Sequence, residues 1–427
     1  MTDMDAYERP HVARLLGLLE EDSSMRIVAI TGPRQTGKTT IARQARSRLE
    51  GTGRMCWYVP LDDPTPDESD APGLLTGVEA IPAGSSQDER WLVGIWESAR
   101  RAAARLDRGL VLVLDEIQHI ARWSNVVKGL WDGDRRAGRN LRVVILGSAP
   151  WQMLTGLHES LAGRFTAMPT PHWSLGEMAR AFDLTVDEYI FFGGYAGALA
   201  TVPGSERLAT WRDHIARAIV APAIERDIVG LTRITKPALM RQLMDLAPRY
   251  SGQLMSYNKL LGQLQDAGNT TTLARYVDLL SDAGLVTGLS RYTPAPHLGK
   301  RSSPKLNVLN TALMTAPAGY TFEEARADRS YWGRLVESAV GAHLYNTRHT
   351  ATQLHFWRDP PHEVDFVIAR GPHVLGIEVK SGKSRRASGL EAFASRFRGA
   401  GTLVVGTGGI PLNEFLSLSA DDWLEET

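Results

Sequence analysis

The chain has 427 residues, enough for two or three domains with separate cores. Its 48 Lys and Arg balance 48 Asp and Glu, so any nucleic-acid surface must be local. One cysteine, Cys56, excludes an internal disulfide framework and a cysteine-built zinc site, which suits a reducing cytosol. Met1 to Pro10 is acidic and polar, unlike a signal peptide, and no apolar run approaches the ~20 residues that span a bilayer. The expectation is a soluble cytoplasmic protein with no membrane partner.

Residues 11–21 read as a short amphipathic helix started by Pro10. Arg26 to Ile30 is a β-branched run expected to be a buried strand. Gly32-Pro33-Arg34-Gln35-Thr36-Gly37-Lys38-Thr39 follows, which fits G-x-x-x-x-G-K-[ST], and the stretch from Thr39 through Thr40 to Ala45 reads as a helix. Strand, glycine loop and helix is the setting this phosphate-binding P-loop needs. Backbone N–H groups of the loop wrap the phosphates, aided by the helix N-terminus. Lys38 is expected to reach the β and γ phosphates of ATP, and the Thr39 hydroxyl to ligate Mg²⁺.

Arg54 to Leu61 reads as a second strand. Residues 62–89 contain Pro, Gly, Ser and acids but no Lys or Arg, and read as a solvated loop. A helix near 90–106 leads to Leu110–Leu114 and then Asp115-Glu116. An apolar run ending in two acids is a Walker B pattern, a parallel strand buried on both faces with its carboxylates at the ligand-binding edge. Asp115 is expected to hold Mg²⁺, and Glu116 to orient and activate the attacking water. Arg142 to Leu146 is a further strand. Ser148 after it either contacts the γ-phosphate or caps a helix. Arg164 reads as a finger acting on a neighbouring subunit's nucleotide, or as a surface arginine or structural salt bridge.

GPRQTGKTT, LVLDEIQ and LAGR, with the Gly193-Gly194-Tyr195 turn and Glu225-Arg226-Asp227, resemble prokaryotic AAA-type P-loop ATPases whose C-terminal half was long a domain of unknown function. That resemblance implies an AAA-type core over 1–173, a helical lid over 174–235, and possible homo-oligomers. Residues 236–291 read as helices near 236–248, 257–265 (capped by Ser256) and 270–283 (stopped by Gly284). A strand, turn and strand over 285–291 completes a winged-helix-like order, serving as a DNA binder or, with few basic residues on 256–283, as an adaptor.

The last third carries a second chemistry. Tyr331 to Tyr345 is expected to be a helix with an apolar stripe and Glu337 beside it. Residues 362–368 and 374–380 read as strands. Alternation puts Glu363 and Asp365 on one face with Val364, Phe366 and Ile368 on the other; Glu378 and Lys380 likewise share a face. A helix glutamate, a strand aspartate and an E-x-K thirteen positions later resemble the PD-(D/E)XK nuclease fold. The fold class expected is therefore α/β: AAA-type core, helical lid, winged-helix-like module, and a nuclease-like α/β domain over 292–427.

In that reading Asp365 and Glu378 bind Mg²⁺ or Mn²⁺, Lys380 stabilises developing charge, and Glu337 completes the acidic cluster. Residues 291–410 hold 16 Lys and Arg against 9 Asp and Glu, and Lys383, Arg385 and Arg386 follow the E-x-K strand. That is a local footprint for a phosphate backbone, most simply DNA. The alternative is a nuclease-like fold that clamps DNA or docks protein without cleavage. Asn310 stands where related sequences tend to have aspartate.

Overall fold

A strand that is apolar along its length needs cover on both faces, and four of the five strands nearest the P-loop receive it, while the edge strand Phe165–Pro169 is buried only at Met168. The computed structural model describes residues 7–20, 26–61, 88–147, 153, 157, 160–200, 207–230, 234–264, 269–294, 303–382 and 388–426. Ser148, Lys383, Arg385, Arg386 and most of the acidic 62–89 stretch lie outside the described residues. Contacts divide the chain into two compact units, Asp5–Thr170 and Pro171–Thr427.

In the first unit the order is α1 (Pro10–Glu20), β1 (Ile27–Thr31), α2 (Lys38–Gly51), β2 (Met55–Pro60), α3 (Glu89–Ala103), β3 (Leu110–Asp115), α4 (Trp123–Ala137), β4 (Leu141–Gly147) and β5 (Phe165–Pro169). The strands form one parallel sheet in the order β2-β3-β4-β1-β5. Ile27 and Ala29 of β1 and Leu112 and Leu114 of β3 pack with α3 and α4. Val28, Ile30, Val111 and Val113 pack with α1 and α2 on the other face. Alternation is present in space but invisible in hydropathy, because both faces are covered. Cys56 is buried in this core, and burial pushes its thiol up to about 12, so it is held as an unreactive thiol.

The second unit begins with short helices: α5 (Leu175–Phe182), α6 (Val186–Phe192), α7 (Ala196–Ala200) and α8 (Arg207–Asp213). Two π-helical runs follow, His214–Val220 and Ala223–Val229. Next come α9 (Pro237–Leu246), α10 (Tyr257–Leu261) and α11 (Thr270–Asp282). Ser256 caps α10 through Lys259 N–H as expected, but the helix stops at Leu261 with Gly262 at its cap. The strand–turn–strand expected over 285–291 is instead one strand, β6 (Val286–Arg291). Gly288 does not turn the chain: a Cβ there would stand 3.1 Å from Val277 of α11 and 3.2 Å from Pro304. Its missing side chain thus admits a helix and a neighbouring segment rather than a wing.

The remaining elements are β7 (Lys305–Val308), α12 (Ala312–Ala318), α13 (Phe322–Ala327), α14 (Arg329–Thr347), β8 (Gln353–Asp359), β9 (His362–Arg370), β10 (His373–Lys380), α15 (Ser388–Arg396), β11 (Gly401–Gly406), α16 (Leu412–Phe415) and α17 (Ala420–Glu425). They build a mixed sheet in the order β11-β10-β9-β8-β6-β7. Strands β8, β9 and β10 run antiparallel in sequence, and β11 returns parallel to β10. Val340 and Leu344 of α14 cover one face with Trp423 of α17. Leu390 and Phe393 of α15 cover the other.

Asn310 is structural. Its Oδ1 accepts the N–H groups of Gly194 at 3.3 Å and Ala312 at 3.1 Å, so it ties the Gly193–Gly194 turn to the start of α12. Gly193 has φ 70°, and a Cβ there would stand 2.0 Å from Asn310 Oδ1, so only glycine closes this turn.

Candidate functional site

The loop from Gly32 to Gly37 leaves the C-terminal edge of the first sheet and enters α2. A Cβ on Gly32 would stand 2.2 Å from the Thr170 carbonyl oxygen, because Thr170 N–H donates to Thr31 O at 2.7 Å. Gly37 at φ 88° and Gln35 at φ 58° bend the loop through left-handed conformations. Thr36 braces it from inside, donating to Pro33 O at 3.0 Å, while Arg9 Nη1 donates to Thr36 O at 2.6 Å. The ammonium of Lys38 donates to the carbonyls of Gly32 at 2.9 Å and Pro33 at 2.7 Å, folding over the loop it follows. No side chain caps α2 at Gly37, an arrangement suited to an anion at the helix start.

Two strands away, Asp115 ends β3 with 4% of its surface exposed. Its Oδ2 accepts from Thr39 Oγ1 at 2.7 Å and from the Tyr58 phenol, and its Oδ1 accepts from Glu116 N–H at 2.9 Å. Burial pushes the Asp115 carboxyl up, against the pull of the Tyr58 and Thr39 hydrogen bonds. Tyr58 is raised in turn, by its own burial and by the Asp115 charge. Glu116 sits at φ 57°, and its carboxylate accepts from Gln118 Nε2. The Thr39 hydroxyl and Asp115 carboxylate are hard oxygen donors brought together beside the loop, a set that fits Mg²⁺.

Arg164 lies immediately before β5, and its carbonyl accepts from Ile27 N–H, at the first residue of β1. It therefore stands at the N-terminal edge of the parallel sheet, five strand residues from the edge that carries the loop. Its guanidinium forks onto Asp132, Nε to Oδ1 at 2.8 Å and Nη2 to Oδ2 at 3.2 Å. That pairing holds the Asp132 carboxyl below the usual range.

Arg9, Tyr58 and Gln118 were not singled out from the sequence. Tyr58 had no signal of its own: the parallel pairing of β2 with β3, Pro60 opposite Asp115, is what brings it one alternation step upstream on a neighbouring strand. Gln118 had only its place two residues after Glu116. Arg9 had none, because its contact depends on where α1 packs.

In the second unit Glu337, Asp365, Glu378 and Lys380 come from α14, β9 and β10. The alternation expected along β9 fails. His355 of β8 pairs with Val367 and Trp357 with Val364, so Phe356 opposes two residues, Asp365 and Phe366. This bulge shifts the phase. Val364 packs with Val367 towards α15, whereas Phe366 and Ile368 pack towards α14. Pairing of β9 with β10 ends at Phe366 and Ile377, and two residues on Val379 N–H donates to Asp365 Oδ2 at 2.8 Å.

A residue that sequence reasoning passed over dominates this cluster. Lys305, the first residue of β7, has 1% of its side chain exposed. Its Nζ lies 2.6 Å from Glu337 Oε1 and 3.5 Å from Asp365 Oδ1, and it donates to the Asp365 carbonyl at 3.1 Å. The Phe366 ring centroid is 4.9 Å away. Burial works against the ammonium, but Glu337 and Asp365 outweigh it and hold Lys305 firmly protonated. Burial pushes Glu337 up to about 7 against the pull of Lys305. Glu378 is also raised, by burial and then by Asp365; its Oε1 accepts from Lys380 at 2.5 Å, and its buried Oε2 has no hydrogen-bond partner. Among the described residues no group of three or more His, Cys, Asp or Glu is arranged to hold a metal ion.

Three family models match successive stretches of the chain. Residues 24–179 match the family described as an AAA domain. Residues 24–179 carry an AAA-type P-loop ATPase domain. The AAA match runs from the approach to β1 through β5 and into α5. Beyond it, residues 184–324 and 332–414 match two families described only as domains of unknown function, DUF8612 and DUF4143. Uncharacterized proteins Mb2031c of Mycobacterium bovis and Rv2008c of Mycobacterium tuberculosis are each 26% identical over 359 residues, 83% of this chain and 70% of theirs. Among solved structures, Aeropyrum pernix ORC1 in complex with DNA is 16% identical, covering 76% of this chain and 95% of that one, with a TM-score of 0.32. AMPPCP-bound DnaA from Aquifex aeolicus is 16% identical over 64% and 86%, with a TM-score of 0.30. No described helix is long and apolar enough to cross a membrane.

Proposed function

We propose that the protein hydrolyses ATP with Mg²⁺ and passes its nucleotide state to a nuclease-like C-terminal module that holds nucleic acid without cutting it. The carrying observation is the Asp115 carboxylate, shared by the Thr39 hydroxyl and by the backbone of Glu116. In this reading the backbone from Gly32 to Thr40 wraps the phosphates, with Lys38 neutralising their charge. Thr39 and Asp115 hold the metal, and Glu116 takes a proton from the attacking water. The first test is phosphate release from ATP by the full chain, which should require Mg²⁺.

Arg164 serves a neighbour in this scheme. Five residues of strand, about 16 Å, separate it from its own chain's loop, so a finger role requires a second copy. Arg164→Ala is expected to keep nucleotide affinity and lower turnover by ~10³-fold or more, and wild-type specific activity should rise with protein concentration. Concentration-independent turnover by a monomer would leave Arg164 as the partner of Asp132 alone.

For the C-terminal module, the run α14, β8-β9-β10, α15, β11 supports the PD-(D/E)XK-like reading, with Glu337 on the helix, Asp365 on the second strand and Glu378 and Lys380 on the third. The basic excess over 291–410 supports a nucleic-acid backbone, taken as DNA, as its ligand. Cleavage is the rival reading. Lys305 favours binding alone, since its ammonium engages Asp365, one of the two expected metal ligands, and Glu337 beside it. Labelled DNA and RNA forms incubated with Mg²⁺ or Mn²⁺, with and without ATP, should be bound and left intact. Cleavage lost in Asp365→Ala would replace this reading with a nuclease.

A further inference from the structure

We infer that Lys305 is the built-in cation of the Glu337–Asp365 cluster, standing where a divalent ion would be held and closing this site to Mg²⁺ and Mn²⁺. The inference rests on the nuclease-like reading of the module and explains why that module would bind without cutting.

Carboxylates brought together on α14 and β9 repel each other unless a cation lies between them. Here the cation is part of the chain. Lys305 reaches the cluster from β7, a strand at the far edge of the sheet, on the opposite side of β8 from β9. It meets three acceptors: Glu337 Oε1 at 2.6 Å, Asp365 Oδ1 at 3.5 Å and the Asp365 carbonyl at 3.1 Å. The second Asp365 oxygen takes Val379 N–H, and Lys380 takes one oxygen of Glu378. The other Glu378 oxygen is buried without a hydrogen-bond partner, so the negative charge of the cluster is met by two ammonium groups of the chain, Lys305 and Lys380. A divalent ion entering this space would also meet the positive charge of Lys305, whose side chain is 1% exposed.

The test is Mn²⁺ binding to nucleotide-free full-length protein, followed by electron paramagnetic resonance. Wild type and Lys305→Arg, which keeps the charge, should show no Mn²⁺ binding that depends on Asp365. Lys305→Met should gain such a site, tighter by on the order of 100-fold or more, because a unit charge a few ångströms away is removed. Adding Asp365→Ala should abolish the gain, which separates this ion from any held near Asp115. If Lys305→Met does not fold, Lys305→Met/Glu337→Gln removes the buried charges as a pair and should still gain Asp365-dependent binding. Asp365-dependent Mn²⁺ binding by wild type would overturn the inference. So would folded Lys305 variants that gain none. Cleavage of DNA by wild type would instead overturn the binding-only reading, so the two failures are distinguishable.

Discussion

Glu116→Gln is expected to bind ATP as tightly as wild type and to turn it over ~10²–10⁴-fold more slowly, the usual worth of a positioned general base. Glutamine keeps the size and the contact with Gln118 but cannot accept a proton from water. The local geometry supports the separation of roles: Glu116 is held in a left-handed conformation at the end of β3, while Asp115 makes the Thr39 contact. Lys38→Ala should behave differently. Lys38 folds over the loop onto Gly32 and Pro33, so its removal takes away the charge facing the phosphates, and ATP binding itself should be lost. Measuring nucleotide affinity and single-turnover hydrolysis on both variants distinguishes the roles. Equal loss of affinity in both would remove Glu116 from the base position.

Lys305→Met is expected to destabilise the Pro171–Thr427 unit by about 3–5 kcal/mol, the cost of breaking a buried ion pair by removing one partner. Glu337 and Asp365 would then face each other without a cation, both in largely buried positions. Thermal unfolding of this unit should shift downward by on the order of 10 °C. Lys305→Met/Glu337→Gln should recover most of the loss, because the buried charges leave together and the remaining amide is neutral. A double variant no more stable than the single one would mean that Lys305 matters for its packing against Phe366 and not for its charge. Calorimetry on the three proteins, without nucleotide, reads the difference directly.

The P-loop, the strand before it, the helix after it and the acidic end of β3 were legible in the residues alone. Each is a local signal: apolar runs of strand length, glycines at fixed offsets, and acids where a run stops. The strands and helix bearing Glu337, Asp365, Glu378 and Lys380 were legible for the same reason. Tertiary structure alone decided the rest, because the deciding contacts join residues far apart in sequence. Tyr58 meets Asp115 across 57 positions, Arg9 meets Thr36 across 27, and Lys305 meets Asp365 across 60. The bulge at Asp365–Phe366 exists only in the pairing of β8 with β9, so no reading of β9 by itself could foresee the change of face. Gly288 looked like a turn until α11 was seen packed against it. Carboxylate spacing identified an acidic cluster; which cation balances it depends on β7 lying within reach, and that is a property of the folded sheet.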